Sequence, residues 1–423
     1  MKPLAAILLL ILLATALRAQ DSVTSLAGQP LVSGATNGLG TNALFSDPAA
    51  IVMDTNGDIF VADSENDAIR EMAANGLVTT FAGQPGVAGT ADGTGAGAQF
   101  NAPSGLAFDA RGNLLVSDTG NNTIRKITPS GAVSTLAGVA GSGGFADGST
   151  GSALFSAPLG LAVAANGNVF VADSRNHCIR EISGGAVSTF AGDPQIWGAV
   201  DGAGTNAQFN GPLGLAFDAR GNLFVSDANN DTVREITPNG VVTTFAGLAG
   251  ADGTADGALW AARFRSPAGL VFDPRGNLFV ADSFNQTIRE ISTNGIVSTV
   301  SGAAGISGSA DGVNGQGRFY NPYGLAFGPD GSLVVADTYN ELIRGVIVPF
   351  QVAVQPAAGG GGVTLSWESV IGRTYQVQSG SGVNPTAWSN LGAPVTAETL
   401  STRWTDTAPV NAPQQFYRVI LTQ

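Results

Sequence analysis

The chain has 423 residues, a formal net charge of −13, a single Cys, and 59 glycines against only 12% charged residues. One Cys excludes an internal disulfide, and the acidic balance disfavours a polyanionic partner, because phosphate recognition depends on Lys and Arg neutralising charge. Low charge with abundant glycine points to a turn-rich, all-β fold, and this length leaves room for two domains.

Residues 1–19 read as a leader. Lys2 supplies the positive start, Leu4 to Leu17 is almost wholly apolar, and small residues follow at Ala14, Thr15, Ala16 and Ala19. That layout is a secretory signal peptide, with cleavage expected after Ala16 or Ala19. The apolar run falls short of the roughly 20 residues of a membrane span. No Cys follows it to carry a lipid, and no later stretch is apolar enough to be transmembrane. An exported bacterial protein is expected, periplasmic, at the cell surface or extracellular.

From residue 20 to about 350 the chain repeats. Pro103-Ser-Gly-Leu-Ala-Phe-Asp109, followed by Asp118-Thr-Gly-Asn121 and Thr123-Ile-Arg125, has counterparts starting at Pro48, Pro158, Pro212, Pro267 and Pro322. The period is 55 residues with one of 54. Such a period marks stacked supersecondary units that cannot bury their apolar faces alone. In the second unit four β-type runs stand at Gly105–Asp109, Leu114–Asp118, Thr123–Ile127 and Ala132–Ala137, separated by turn residues. Runs so close together must pair antiparallel, since a parallel crossover needs a dozen or more residues. Six four-stranded sheets in series predict a β-propeller.

Ring closure is legible as well. Fourth strands follow units one to five at Val78, Val133, Val187, Val242 and Val297, and the sixth unit instead runs into Pro349. The missing strand is Ser22-Val-Thr-Ser-Leu-Ala-Gly28, which matches Ala132 to Gly138. The N-terminal strand is therefore expected to complete the last blade.

Gly-Leu-Ala-Phe, Gly-Asn-Leu-Phe-Val-Ala-Asp, then Asn and Ile-Arg, resemble the NHL repeat family across Ser22 to Val348. The resemblance implies a six-bladed propeller, with a repeat longer here than is usual. The extra length lies between the fourth strand and the next Pro.

Each unit carries an Asp closing its second strand, an Asn three residues on and an Arg seven on: Asp63/Asn66/Arg70, Asp118/Asn121/Arg125, Asp173/Asn176/Arg180, Asp227/Asn230/Arg234, Asp282/Asn285/Arg289 and Asp337/Asn340/Arg344. Six copies suit a turn-locking network, with Asp accepting turn amides and Asn taking the left-handed conformation. In the inserts an Asp-Gly pair stands eight residues before a Phe, as in Asp92/Phe100 and Asp256/Phe264, with Asn37 replacing the Asp in the first. A tight turn and a buried aromatic plug are expected. Calcium held by these Asp residues is the alternative, without the dense oxygen spacing of a known loop.

Inserts and Asp-x-x-Asn turns fall on one face of the disc, where the copies also diverge. The candidate ligand-binding residues there are Trp197, Trp260, Phe284, Tyr320, Tyr323 and Tyr339, aromatic rings suited to a protein, peptide or glycan. His177 and Cys178 cannot complete a zinc shell, and Cys178 holds a strand position occupied elsewhere by Thr123, Thr232 and Thr287. The amidating lyase that shares the NHL fold uses several histidines on zinc, which this chain does not match. Calcium lactonases on related propellers place Glu, Asn and Asp at the pore, whereas the pore strands here read Gly-Leu-Ala-Phe and near copies.

Residues 351–362, with Gly359 to Gly362, read as a linker, and 363–423 as a small β-sandwich resembling a fibronectin type III tail. Its runs are Val363–Trp367, Thr374–Gln378, Thr402–Trp404 and Phe416–Leu421. The expectation is a monomeric, non-catalytic interaction protein without cofactor, catalytic residue or metal, binding protein, peptide or glycan and no nucleic acid. The alternative is a calcium-dependent hydrolase, lactonase or lyase with its site in the propeller funnel. RNA binding, implied by some NHL domains, is disfavoured by the acidity.

Overall fold

The computed structural model describes residues 17–18, 22–313, 315–328, 331–348, 351–356, 362–369, 372–380, 388–406 and 416–422. Apart from Leu17–Arg18, which pair with Val352 and Gln351, the expected leader lies outside these residues. No helix among them is long and apolar enough to cross a membrane. Contacts divide the chain into one unit spanning Asp21–Val348 and a second formed by Met1–Gln20 with Pro349–Gln423.

The first unit is the six-bladed propeller. In blade two, Pro103–Phe108, Leu114–Asp118, Thr123–Ile127 and Ala132–Ala137 form an antiparallel meander. Leu114 to Asp118 is buried throughout, because neighbouring blades cover both faces of the sheet, so this strand reads as a continuous apolar run. The blades pack through six apolar clusters, each shared by adjacent sheets. In one of them Phe60 and Ile69 of blade one meet Leu106, Val116 and Val133 of blade two.

The sheets have five strands where four were expected. The fifth is a two-residue strand at the outer edge, Gly93–Thr94 in blade two, pairing with Ala132 and Val133. Its equivalents are Gly38–Leu39, Gly148–Ser149, Gly202–Ala203, Gly257–Ala258 and Gly312–Val313. Two residues are too few to show alternation, so the patterning misses them. The Asp-Gly pair is thus not an isolated tight turn; its Gly opens the edge strand.

Closure follows the expected course. Ser22–Gly28 pairs antiparallel with Leu342–Ile347, from Ser22↔Ile347 to Gly28↔Leu342. Asp311 fastens the clasp by accepting from the Ser25 amide at 3.1 Å and hydroxyl at 2.9 Å.

In the second unit, Gln351–Pro356, Val363–Glu368 and Ser401–Asp406 form one sheet. Thr374–Gly380 pairs with Phe416–Leu421, Ser389–Asn390 and Val395–Thr396 in the other. Val352, Leu365, Trp367, Tyr375, Val377 and Val419 share one core. The linker expected over 351–362 is corrected in its first half: Gln351–Pro356 is a strand, anchored by Val352 in that core.

Candidate functional site

The insert-bearing face rests on one network repeated in every blade. Asp118, fully buried, accepts from the Asn101 amide (2.7 Å), Asn121 Nδ2 (2.8 Å) and Arg125 Nη1 (2.7 Å). Arg125 also donates to the Gln99 and Ala91 carbonyls and, through Nη2, to Asp92 Oδ1 at 2.7 Å. Its guanidinium lies over the Phe100 ring, 5.2 Å from the centroid. The Asp of Asp-Gly is therefore a second carboxylate on the arginine, half exposed where the first is buried. In blade one Asn37 Oδ1 takes its place at 2.8 Å.

Burial raises the inner carboxylates against the opposing guanidinium, pushing Asp63, Asp227, Asp282 and Asp337 up to about 6. Asp118 and Asp173 are raised for the same reason. The network ties each insert to its blade, as a frame should.

The left-handed residue of each turn is not the Asn but the one after it. Asp67, Asn122, His177, Asp231, Gln286 and Glu341 have φ between 53° and 62°. This places a side-chain acceptor under the next blade. Asp67 accepts the Ala102 amide, Asn122 that of Ala157, Asp231 that of Ser266, Gln286 that of Asn321, and Glu341 closes the ring on Asp47. In blade three the acceptor is His177 Nδ1, 3.1 Å from the Gly211 amide. That contact requires an unprotonated Nδ1, and burial holds the ring below its ordinary pKa. Burial pushes the Cys178 thiol up, away from nucleophilic chemistry.

The pore holds a cavity of about 80 Å³ lined by the insert-side ends of the innermost strands, including Leu106, Leu161, Leu215, Gly214 and Tyr323. No carboxylate or imidazole lines it. The inner strands crowd there: a Cβ on Gly214 would stand 2.2 Å from the Ala268 carbonyl oxygen, and one on Gly269 2.2 Å from that of Tyr323. Among the described residues no group of three or more His, Cys, Asp or Glu is placed to hold a metal.

The six aromatic candidates separate. Tyr320 and Tyr339 meet edge to face at 5.2 Å, and the Tyr339 amide donates to the Tyr320 carbonyl. Tyr323 lines the pore rather than the rim; burial and the neighbouring Tyr339 push its hydroxyl up to about 12. Phe284, exposed, holds in blade five the position of Tyr339 in blade six. Trp197 and Trp260, 68% and 78% exposed, belong to the inserts of blades four and five, not to the turns around the pore.

Two features escape sequence reasoning. Asn321, 7% exposed between Tyr320 and Pro322, has an Oδ1 without a hydrogen-bond partner. Insert turns also expose Leu31, Val32, Val87, Ile196, Leu248 and Ile306. Aligning the six copies column by column would show the Asn321 substitution, but not its unpaired oxygen.

A family model described as NHL repeat matches residues 100–127 and 155–182. The chain is 29% identical to NHL repeat-containing protein 2 of Bos taurus over 293 residues, covering 60% of this chain and 40% of that protein. It spans less than half the length of the curated relatives it matches. Among solved structures, a Bacteroides thetaiotaomicron protein of unknown function aligns with TM-score 0.62 and 22% identity, over 78% of this chain and 76% of that one. An auxiliary nutrient binding protein from Bacteroides ovatus aligns with TM-score 0.58 and 15% identity, over the same shares. Both likenesses are to the fold alone.

Proposed function

Since the chain belongs to the NHL-repeat family, a propeller scaffold of the protein-interaction type, we propose that it is a non-catalytic binding module. It holds a protein, peptide or glycan on the insert-bearing face, outside the cell or in the envelope if the leader at residues 1–19 acts as expected.

The observation that carries this reading is where the symmetry breaks. The buried Asp–Asn–Arg frame is the same in all six blades, whereas the turns around the pore read Ser46/Glu65, Asn101/Gly120, Ser156/Arg175, Asn210/Asn229, Arg265/Phe284 and Tyr320/Tyr339. A conserved frame with a variable rim is a scaffold that positions side chains for recognition. Half-exposed aromatic rings on rigid turns supply contact area at low entropy cost.

The test is a thermal-shift screen of the protein against peptide and glycan panels. A ligand-induced shift is expected that Phe284→Ala removes and Arg111→Ala, on an inner-strand hairpin turn, leaves intact. Shifts indifferent to Phe284→Ala and to the tyrosine rim would refute binding at this face.

A further inference from the structure

An exposed apolar turn stands at the seam between blades six and one. Leu31 and Val32 are 67% and 43% exposed. Leu31 has a φ of 61°, at a position held by Gly86, Gly141, Gly250 and Gly305 in four of the other insert turns. A bulky residue adopts this backbone only at a cost that glycine avoids, yet the leucine side chain faces solvent. The Leu31 amide donates to the Asn340 carbonyl, so the turn rests against the one that carries Tyr339. Tyr339 and Tyr320, both exposed and in edge-to-face contact, continue the apolar surface, and Phe284 extends it into blade five.

The same seam concentrates negative charge. Glu341, buried, accepts from the Ser33 hydroxyl at 2.9 Å and the Asp47 amide at 2.7 Å. Asp47 is half-buried and Glu65 exposed. At the other five seams the same three positions hold one carboxylate or none. Among the described residues no Arg or Lys pairs with any of the three. Burial raises Asp47 and Glu341 above their ordinary pKa, and the charge of Glu65 raises both further.

Charge and apolar surface together select the occupant. The three carboxylates do not converge as the ligands of a metal ion. A free amine would neutralise charge but leave Leu31 and Val32 in water. A polypeptide answers both demands. An Arg guanidinium offers five donors in a planar fork to carboxylates and stacks on aromatic rings, while its apolar neighbours cover the leucine and valine.

We infer that Leu31, Val32, Asp47, Glu65, Tyr320 and Tyr339 form a docking surface for a basic polypeptide segment, an Arg flanked by apolar residues. This rests on the binding-module reading above and names its partner class. Glu65 and Asp47 meet the guanidinium, Glu341 adds its charge from within, and Tyr339 lies beside them as a stacking face.

The experiment probes the full chain with an immobilised short-peptide library whose central residue is Arg, Lys, citrulline or Glu, with random flanks. Arg-centred pools should bind, selecting Leu, Ile, Val or Phe beside the Arg. Citrulline, which keeps the shape and loses the charge, should not. The selected peptide, labelled for fluorescence anisotropy, should bind about tenfold more weakly to Leu31→Gly, which removes the apolar contact. The double variant Asp47→Ala/Glu65→Asn should also lose about tenfold. These substitutions copy Gly86, Ala102 and Asn229 of other blades, so the fold should be kept, as melting curves would show. Glu341→Gln, which copies Gln286, should weaken binding less, and Trp260→Ala should leave it unchanged. Raising salt from about 0.1 M to about 1 M should weaken binding, as the Debye length falls from about 10 Å to about 3 Å.

No binding by the Arg-centred pools, equal binding of Arg and citrulline, or full affinity in Leu31→Gly would overturn the proposal. So would calorimetry showing that calcium chloride alone binds wild type and not Asp47→Ala/Glu65→Asn, which would make the seam a metal site. A neutral or acidic ligand bound in a Phe284-dependent way, with no basic peptide bound, would remove the basic segment and leave the binding module standing. Failure of peptide and glycan panels alike to respond to the rim variants would remove both.

Discussion

Blade one lacks the second carboxylate on its arginine, and this makes a quantitative contrast with blade two. In Asp63→Asn, Arg70 keeps no anion, because Asn37 is its other side-chain partner. Breaking a buried ion pair costs about 3–5 kcal/mol. Against this, burial raises the Asp63 carboxyl despite Arg70, so its charge is held at a desolvation cost that a neutral amide does not incur and that offsets part of the loss. In Asp118→Asn, Arg125 retains Asp92 at 2.7 Å, half exposed and so a weaker anchor than a buried partner. Asp63→Asn should therefore be less stable than Asp118→Asn by about 1–2 kcal/mol. Adding Asn37→Asp to Asp63→Asn should bring it to the Asp118→Asn level. Urea unfolding at pH 7.5, followed by far-ultraviolet circular dichroism, measures both differences. Equal midpoints for the two single variants, or no recovery in the double variant, would refute the role given to the second carboxylate.

Further outcomes follow from the same geometry. Deleting residues 22–28 removes the strand paired with Leu342–Ile347 and should lower the melting temperature of the propeller; an unchanged one would contradict the clasp. Gly214→Ala drives a Cβ to 2.2 Å from the Ala268 carbonyl and should cost about 1–3 kcal/mol as overpacking, read as a shifted urea midpoint; a neutral result would mean that the inner strands can part. The pKa of His177 is lowered by burial, so folding favours the neutral ring. Its contribution is present above the ordinary value of 6.5 and is lost as pH falls from there toward the lowered value. His177→Asn, which copies the acceptor at Asn122, should thus lose less stability than wild type between pH 7.5 and 5.5. Parallel pH profiles would show that the His177–Gly211 contact does not titrate.

The divide between what was legible early and what was not has a physical basis. Strand periodicity, turn residues and a 55-residue repeat are local signals, and local signals summed over six copies leave one architecture, including the N-terminal strand that closes the ring. The edge strands escaped because two residues carry no period, and Gln351–Pro356 escaped because its Pro and the following Gly run resemble a joint. At the site, the exposed aromatics were identifiable as departures from the repeat, but their grouping was not. Tyr320 and Tyr339 are distant along the chain and meet only because the insert and the turn of one blade converge. Trp197 and Trp260, equally conspicuous in sequence, go to separate inserts.

His177 shows the same limit from the other side. Its neighbour Cys178 invites a catalytic reading, while the fold gives its Nδ1 a backbone amide of the next blade. Sequence alone determined the blade, its count and its closure, because these follow from patterns within each repeat. Tertiary structure decided the second carboxylate on each arginine, the blade-to-blade acceptors and the open oxygen of Asn321, because each depends on groups brought together from different repeats or different parts of one.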